Sequence, residues 1–292
     1  MCALDRLTGE ADGQNNDAMK PVLVTGAASG IGMATVQLLL SEGICVVGID
    51  QDAMSDLGAN FTAIIADLSD PDHVARAVDQ ATKAMPDLGG LVNCAGIFPV
   101  TPMLEMSVAE WDKVQAINLR APFLMTQAMA QHWQRRSGHF KVVNVASTAA
   151  FLARPGVTHY AASKAGLIQS SKVMAIELAP LGIQVNVIAP GLIATEKVKA
   201  HAEGEGAAEH SSKLARIPAK REGEPAEVAR AIRWLLSEDA AYATGSVLTL
   251  DGGFTLGIPA YCAPYGAQCE PFPTGLSNLQ LRYGGSRQRR TG

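Results

Sequence analysis

The chain has 292 residues and a formal net charge of −4, and 48% of its residues are hydrophobic while 18% are charged. This composition indicates a soluble protein with a large apolar core. The acidic balance and the aromatic content of only 5% argue against a protein that binds nucleic acid through a basic or base-stacking surface.

The cysteines, the histidines and the apolar runs narrow the setting further. Five cysteines without a Cys-x-x-Cys pair predict neither a disulfide framework nor a zinc site, and they fit a reducing compartment. The histidines show no metal-ligand spacing, so we expect no metal. No apolar run approaches the roughly 20 residues of a membrane span, and residues 1–19 lack the apolar core of a signal peptide. We therefore expect a cytoplasmic protein without a membrane partner.

The first predicted elements are a strand, a glycine-rich turn, a helix and a second strand. Residues 1–19 are predicted to be a flexible leader, and an apolar run over 22–25 leads into glycines at 26, 30 and 32. A helix that stops at a glycine follows, and then a buried strand that ends at Asp50. In this context the glycines let the backbone approach a pyrophosphate, and the helix N-terminus offers N–H donors. The stretch therefore predicts nucleotide binding.

Asp50 indicates which nucleotide binds. A carboxylate at this position can accept hydrogen bonds from both hydroxyls of the adenosine ribose, but it would repel a 2′-phosphate. No lysine or arginine adjoins it in the sequence, because Gln51 follows and Ala28 and Ser29 lie in the turn. We therefore expect NAD rather than NADP. Asp67 ends the third predicted strand, where it could bond the adenine amino group or form an Asx-turn.

Apolar strands and helices alternate through the rest of the chain to residue 253. The further strands are predicted at 61–66, 91–96, 141–145, 183–189 and 246–250, and the helices at 70–84, 107–136 (as one helix or two), 158–180 and 225–237. Such alternation is typical of a parallel sheet that is covered on both faces. Seven strands predict the α/β class, with a single doubly wound Rossmann-like domain over residues 20–257.

Two stretches depart from this alternation. Residues 195–221 are weakly helical and poor in apolar residues, and they follow the sixth strand on the side where ligands bind in such sheets. They are predicted to form a lid, with a solvated surface excursion as the alternative. Residues 258–292 form an irregular extension with a basic end and no sustained period, so disorder and an arm onto a partner subunit both stay open.

A tyrosine and a lysine stand four residues apart in the predicted helix 158–180. This spacing places Tyr160 and Lys164 on one face of the helix, one turn apart. A nearby ammonium favours the phenolate, which would lower the pKa of the tyrosine and ease proton transfer near neutral pH. The same spacing also occurs by chance on helices. Because consecutive helical positions diverge by about 100°, we expect His159 to face a neighbouring element rather than the substrate.

Several motifs, in this order, resemble the short-chain dehydrogenase/reductase family over residues 21–257. They are TGAASGIG (25–32), Asp67, NCAG (93–96), Asn118, Ser147, Tyr160-x-x-x-Lys164 and Pro190-Gly191. The resemblance implies a Rossmann-like fold, dependence on NAD(P) and a dimeric or tetrameric assembly. Cys94 departs from the Asn or Ala that the family often has there, and we expect this position to be structural.

The resemblance also implies roles for individual residues. Tyr160 would move a proton to or from the substrate oxygen, and Ser147 would hydrogen-bond that oxygen. Lys164 would hold the nicotinamide ribose and lower the pKa of Tyr160, while Asn118 would anchor a water in the proton relay. Thr195 would bond the nicotinamide carboxamide, or else cap a helix. The expected cofactor contacts are Gly26, Ser29, Gly30, Ile31, Gly32, Asp50, Asp67, Leu68, Asn93, Ala95, Gly96, Tyr160, Lys164, Pro190, Gly191, Ile193 and Thr195.

The predicted substrate pocket is mostly apolar. Its expected lining is the lid together with Ile97, Phe98, Met103 and residues 149–155. This lining favours a small secondary alcohol or ketone that is mainly apolar or cyclic. The chain is also weakly similar to dihydrodiol dehydrogenases of the 2,3-dihydro-2,3-dihydroxybenzoate type at Asp50-Gln51 and over residues 252–257. Arg154 would then anchor a carboxylate, and a solvated Arg154 is the alternative.

Other functions and the assembly state stay open. A 3-oxoacyl thioester (acyl carrier protein) reductase of the same fold would usually use NADPH and have a basic residue near Ser29 or Gln51, where none is present. A non-catalytic nucleotide-binding scaffold is the other alternative, against which the complete set of Ser147, Tyr160 and Lys164 argues. We expect a homotetramer, or a homodimer, whose interfaces are formed by helices 107–136 and 158–180 and by helix 225–237 with strand 246–250.

Overall fold

Within residues 19–203 and 206–257, which the computed structural model describes, seven parallel strands form one sheet. The strands are β1 (Val22–Thr25), β2 (Val46–Asp50), β3 (Phe61–Ile65), β4 (Gly90–Asn93), β5 (Phe140–Val145), β6 (Ile183–Pro190) and β7 (Val247–Leu250). Their spatial order is β3-β2-β1-β4-β5-β6-β7, so the direction of winding reverses between β1 and β4. The predicted Rossmann-like α/β fold is confirmed.

Helices cover both faces of this sheet. They are α1 (Gly30–Ser41), α2 (Pro71–Ala84), α3 (Val108–Gln115), α4 (Ala121–Trp133), α5 (Thr158–Leu178), α6 (Glu196–Glu203), α7 (Ala207–Arg216) and α8 (Pro225–Leu236). Local signals fix their beginnings: α2 starts with Pro71 behind Asp70, whose carboxylate accepts a hydrogen bond from the amide of Asp72 at 2.8 Å. In α8 the Glu227 carboxylate accepts from the amide of Glu224 at 2.8 Å.

The core forms two layers, one on each face of the sheet. Helices α2, α4 and α5 pack on one face, where the rings of Trp133 and Phe140 stack with their centroids 5.0 Å apart. Helices α1 and α8 pack on the other face, where Val36 and Ile232 are completely buried. The strands are apolar on both sides because both sides are covered, which is why they appear in the sequence as continuous apolar runs.

The segment predicted at 107–136 is a single helical rod with one irregular turn. Helix α3 passes into a π-helical turn over Ala116–Arg120, and this turn passes into α4.

Residues 195–221 contain α6 and α7, so they are more helical than their composition suggested. The predicted leader and the extension 258–292 fall on residues that are not described, apart from residue 19, and stay predictions. No helix in the described ranges is long and apolar enough to cross a membrane.

Candidate active site

The residues predicted to bind cofactor and substrate follow the carboxyl ends of six neighbouring strands. Because all strands run parallel, these ends meet at one edge of the sheet. The glycine turn follows β1, Asp50 ends β2, Asp67 follows β3, the NCAG segment follows β4, Ser147 follows β5 and Gly191 follows β6. The reversal between β1 and β4 opens the crevice in which such folds bind their ligands.

The glycine turn after β1 leaves no room for side chains. Gly26 and Gly30 have φ angles of +70° and +55°, which are rarely adopted by residues with a side chain. A Cβ atom on Gly26 would lie 2.8 Å from the backbone nitrogen of Ala95. A Cβ atom on Gly32 would overlap the carbonyl oxygen of Gly26, so the first turn of α1 packs directly on the turn that precedes it. The sequence spacing therefore reflects close backbone packing.

The N-terminus of α1 is suited to an anion. Its N-cap, Ser29, makes no side-chain capping hydrogen bond, and the first turn contains no acidic residue. The first amides of a helix lack intrahelical partners, and the helix dipole favours negative charge at this end. A pyrophosphate group would supply the missing acceptors.

Asp50 and Asp67 are both held by backbone amides. The carboxylate of Asp50 accepts hydrogen bonds from the amide of Ala28 at 2.9 Å and from that of Asp52 at 3.1 Å. The carboxylate of Asp67 accepts from the amide of Ser69 at 2.8 Å, and this bond lowers its pKa. Asp67 thus forms the Asx-turn that was one of its two predicted roles, and its contact with adenine stays a prediction.

The turn after β4 is tied to the turn after β1. The hydroxyl of Thr25 accepts hydrogen bonds from the amides of Cys94 at 3.1 Å and Ala95 at 3.2 Å. A Cβ atom on Gly96 would lie 3.3 Å from Oδ1 of Asn118 and 3.5 Å from Nζ of Lys164, so this glycine lets the backbone pass close to both side chains. Burial raises the pKa of the Cys94 thiol to about 12, which agrees with the structural role expected for this residue.

The side chain of Asn93 is buried and hydrogen-bonded to neighbouring elements. It is 2% exposed, and its Nδ2 donates to Oδ1 of Asn144 at 2.7 Å and to Oγ1 of Thr126 at 3.3 Å. Asn144 in turn donates to the hydroxyl of Ser171 on α5 at 2.8 Å. The side-chain amide of Asn93 therefore links β4 to β5 and to helices α4 and α5, and its contact with the cofactor stays a prediction.

Tyr160 and Lys164 lie one turn apart on α5, next to the end of β5. The Tyr160 phenol shares a hydrogen bond with Ser147, the second residue after the end of β5. Nζ of Lys164 donates to the carbonyl oxygen of Val145 at 2.8 Å and lies 5.9 Å from the centre of the Tyr160 ring. The structure therefore brings together Tyr160 and Lys164, as their spacing predicted, and places Ser147 beside them, as the family resemblance implied.

The electrostatics of this group differ from the expectation. Burial raises the pKa of Tyr160, and it outweighs the opposing effects of the Ser147 hydrogen bond and the positive charge of Arg154. The expected lowering of this pKa by Lys164 is wrong for this structure. Lys164 is 4% exposed, and burial lowers its own pKa to about 8, because a low-dielectric surrounding disfavours the ammonium.

Asn118 sits in the π-helical turn and fixes the loop that follows β4. Its Oδ1 accepts from the amide of Ile97 at 2.9 Å, and its Nδ2 donates to the carbonyl of the same residue at 2.8 Å. A second donation reaches the hydroxyl of Ser163 on α5 at 3.2 Å. A π turn inserts one extra residue into a helix and changes the direction of a side chain, and such turns are frequent at functional sites.

The segment after β6 lies across the glycine turn. A Cβ atom on Gly191 would lie 2.8 Å from Cα of Asp251, so β6 and the end of β7 approach closely after Pro190. A Cβ atom on Gly30 would lie 3.2 Å from the methyl group of Thr195. The Thr195 hydroxyl accepts a hydrogen bond from the amide of Val198 at 3.4 Å. Thr195 thus has the helix-capping role that was one of its two alternatives. Ile193 is 6% exposed and packs in the core beside α1 and α8.

Apolar side chains are exposed on the loops after β4 and β5, and one of them contacts the Tyr160 ring. Phe98 is 42% exposed, and its ring meets the Tyr160 ring edge to face at 6.3 Å between centroids. Met103 and Phe151 are 74% and 49% exposed on the loops after β4 and β5. These positions are consistent with the predicted apolar lining of a substrate pocket.

The hydrogen bonds of Thr25 and the pairing of His159 with Glu110 were not predicted from the sequence. Thr25 holds the NCAG turn, and the buried His159 pairs with the partly exposed Glu110, with 2.9 Å between Nε2 and Oε1. His159 faces a neighbouring helix, as expected. The sequence does not reveal this pairing, because Glu110 and His159 are 49 positions apart. In the described part of the chain, no group of three His, Cys, Asp or Glu side chains could hold a metal ion.

Comparison with known proteins gives consistent matches over the described domain. Residues 26–255 match the family described as enoyl-(acyl carrier protein) reductase. The chain is 36% identical over 250 residues to a 3-oxoacyl-(acyl-carrier-protein) reductase of Thermotoga maritima, which covers 81% of this chain and 98% of that protein.

Two solved structures are similar in fold and carry different cofactors. A 4-hydroxyisoleucine dehydrogenase complexed with NADH superimposes with a TM-score of 0.76 at 30% identity, over 82% of this chain and 99% of that one. A protein from Agrobacterium tumefaciens with bound NADP, provisionally named 2-deoxy-D-gluconate 3-dehydrogenase, has a TM-score of 0.75 at 36% identity, over 82% and 97% of the chains. The similar proteins thus share a fold and differ in substrate and cofactor.

Proposed function

The chain belongs to the short-chain dehydrogenase/reductase family and is an oxidoreductase that acts on CH–OH groups with a nicotinamide cofactor, and we propose that it is an NAD(H)-dependent member. It would interconvert a secondary alcohol and a ketone. The observation that carries the proposal is the meeting of Tyr160, Ser147 and Lys164 beside the glycine turn. When bound, the nicotinamide would accept or supply the hydride.

The side chains of this group would move and hold the proton of the substrate oxygen. Ser147 would donate a hydrogen bond to that oxygen, and Tyr160 would donate or remove its proton. A raised pKa keeps the phenol protonated at neutral pH, which suits proton donation to a carbonyl. Oxidation of the alcohol needs the phenolate and would be favoured at higher pH. Asn118 would anchor a water in the relay that resupplies the proton.

The remaining predicted contacts would orient the cofactor. The amides at the start of α1 would bind the pyrophosphate, and Asp50 would accept hydrogen bonds from the adenosine ribose. Lys164 would hold the nicotinamide ribose and Thr195 the carboxamide. The carboxylate of Asp50 keeps free lone pairs for the ribose, since each oxygen can accept more than one hydrogen bond.

Preference for NAD(H) rests on the charge around Asp50. Asp52 lies two residues after Asp50 and adds a second carboxyl group, and its backbone amide donates a hydrogen bond to the Asp50 carboxylate. A 2′-phosphate placed here would meet negative charge. Fluorescence titration of the protein with NADH and NADPH tests this preference. We expect NADH to bind at least about tenfold more tightly, and an Asp50→Ala variant to lose most of that ratio. Tighter binding of NADPH by the unmodified protein would refute the preference.

A second candidate function is favoured by the Thermotoga maritima relative. That protein is named as a reductase of 3-oxoacyl thioesters, and it matches over almost its entire length. The two candidates differ in the carbonyl compound that is reduced, so the rates with acetoacetyl-coenzyme A and with simple cyclic ketones separate them. Efficient reduction of the thioester with NADPH, and little reaction of ketones with NADH, would favour the second candidate.

The substrate itself is proposed only by class. Exposed apolar groups at Phe98, Met103 and Phe151 favour a mainly apolar or cyclic molecule. A screen of secondary alcohols and cyclic diols with NAD, followed by NADH absorbance, tests this class. We expect turnover of cyclic alcohols to exceed that of polyols of the same size. Equal or faster turnover of sugars would contradict the apolar pocket.

A further inference from the structure

Helix α5 begins without a capping side chain. Its N-cap position is Val157, which offers no acceptor, although the first turn of a helix leaves amides without intrahelical partners. The amide of Tyr160 is one of these, and it donates to Nδ1 of His159 at 2.8 Å. The residue that carries the phenol is therefore held through its own backbone by its neighbour.

The ring of His159 is fixed on its other side as well. Because Nδ1 accepts a hydrogen bond, the ring proton resides on Nε2, which donates to Oε1 of Glu110 at 2.9 Å. The His159 side chain is completely buried, so it has no solvent-facing position to adopt. The carbonyl oxygen of His159 also accepts from Nε2 of Gln115 at 2.9 Å. Helix α3 thus holds the first turn of α5 through two side chains.

Glu110 connects this turn to the loop beside the substrate pocket. The hydroxyl of Thr101 hydrogen-bonds to the Glu110 carboxylate and keeps its pKa below the ordinary range. The amide of Thr101 donates to the carbonyl of Gly156 at 2.8 Å, just before α5. A single carboxylate therefore joins the loop after β4 to the beginning of the helix that carries Tyr160.

We propose that His159 and Glu110 are positioning residues for the Tyr160 phenol, and that Thr101 couples them to the substrate-side loop. The inference rests on the proposed function, in which this phenol moves the proton. The chain from Thr101 through Glu110 and His159 ends at the Tyr160 amide, and the phenol of the same residue meets Ser147. Loss of the ring would free the first turn of α5 and shift the phenol relative to Ser147.

Steady-state kinetics of matched variants test the proposal. His159→Phe preserves ring volume but removes both hydrogen bonds, and we expect kcat to fall about 10- to 100-fold. The dissociation constant for NADH should stay within about twofold, since neither His159 nor Glu110 is among the residues predicted to bind the cofactor. Glu110→Gln keeps an acceptor for the ring N–H, so it should retain more activity than Glu110→Ala. The assay uses the carbonyl compound with the highest rate in the screen described above.

Asp70→Ala is the matched control, because it removes an N-cap whose hydrogen bond lies within the start of α2. Its kcat should equal that of the unmodified protein. Unchanged kcat in His159→Phe and Glu110→Ala, or an equal loss in Asp70→Ala, would overturn the proposal. If His159→Phe does not fold, His159→Gln and the two Glu110 variants decide in its place.

Two measurements without substrate separate this proposal from the proposed function. In ¹⁵N-labelled protein, His159 should show an unprotonated Nδ1 and a protonated Nε2, and the Tyr160 amide should exchange slowly with solvent. That exchange should accelerate at least about tenfold in His159→Phe and not in Asp70→Ala. If the protein reduces no carbonyl compound, the proposed function fails while these measurements still test the positioning. The opposite tautomer, or unaltered exchange, contradicts the positioning alone.

Discussion

The hydroxyl of Tyr160 is the single group whose removal should separate cofactor binding from chemistry. Tyr160→Phe keeps the ring and its edge-to-face contact with Phe98. We expect kcat to fall about 10²- to 10⁴-fold, the usual contribution of a general acid or base, with an unchanged dissociation constant for NADH. The measurement is NADH oxidation beside fluorescence titration. Tyr242→Phe is the control, because Tyr242 is fully exposed. Near-normal rates in Tyr160→Phe would show that the phenol is not the acid or base of the reaction.

Lys164 should make stability depend on pH in a window set by its burial. Its folded pKa is about 8, against an ordinary value of 10.5, so between these values the unfolded chain binds more protons than the folded protein. Stability attributable to this group therefore rises with pH across the window. Relative to Lys164→Met, the unmodified protein should gain about 2 kcal/mol of unfolding free energy between pH 7 and pH 9.5.

Urea unfolding of both proteins at several pH values measures this difference. The two proteins differ only at residue 164, so the contributions of all other titrating groups to the free energy of unfolding largely cancel in the comparison. A gap between the two proteins that stays constant up to pH 9.5 would mean that Lys164 keeps an ordinary pKa and that its burial has no electrostatic cost. The Lys164→Met protein should also lose turnover, since the predicted contact with the nicotinamide ribose is removed.

Residue spacing predicted which side chains meet, but not their energetics. Tyr160 and Lys164 are brought together by helical geometry alone, which the sequence displays. The sign of the Tyr160 pKa shift depends on burial by loops that come from separate parts of the chain, so no local pattern contains it. The direction of the Asn93 side chain depends on Asn144, which is 51 positions away. Contacts between residues that are this far apart in the sequence become visible only in the folded protein.

At the scale of elements, the seating of α1 on the glycine turn should govern cofactor affinity. A Cβ atom on Gly32 would overlap the carbonyl of Gly26, and the atom in the way belongs to the backbone. Gly32→Ala should therefore displace the start of α1, reduce stability by about 1–3 kcal/mol, and weaken NADH binding about tenfold or more. Thermal unfolding and NADH titration measure the two effects.

Gly43→Ala is the matched control for this prediction. Gly43 follows the same helix with a φ of +77° and has open space around it. Alanine there should cost roughly 1–2 kcal/mol through backbone strain while leaving NADH affinity unchanged. If both variants weaken NADH binding equally, general destabilisation rather than the position of α1 explains the loss.

The elements themselves were largely predictable, and their irregularities were not. Buried parallel strands are continuous apolar runs between glycines and acids, so all seven were placed within a few residues. The π turn over Ala116–Arg120 inserts one residue without disturbing the apolar pattern, so periodicity could not reveal it. Helices α6 and α7 have composition typical of surface helices, which resembles that of a loop. Weakly apolar helices depend on tertiary contacts that a sequence does not display.

At the scale of the whole molecule, the outer surface of α4 and α5 carries apolar side chains. Ile176 and Val173 on α5 are 77% and 46% exposed, and Phe123 on α4 is 44% exposed. Exposed apolar groups on two neighbouring helices are suited to association with a second copy. This surface is the first of the two interfaces expected for a homotetramer.

Ile176→Lys should break this interface. A charge that is buried without a partner is costly, so association should weaken about tenfold or more while each subunit stays folded. Light scattering at micromolar concentration should give about four times the chain mass of 30.6 kDa for the unmodified protein and a smaller assembly for the variant. Ile65→Lys is the control, because Ile65 is 67% exposed on the edge strand β3 rather than on α5. A monomeric unmodified protein, or an equal effect of both substitutions, would contradict an interface built from α4 and α5.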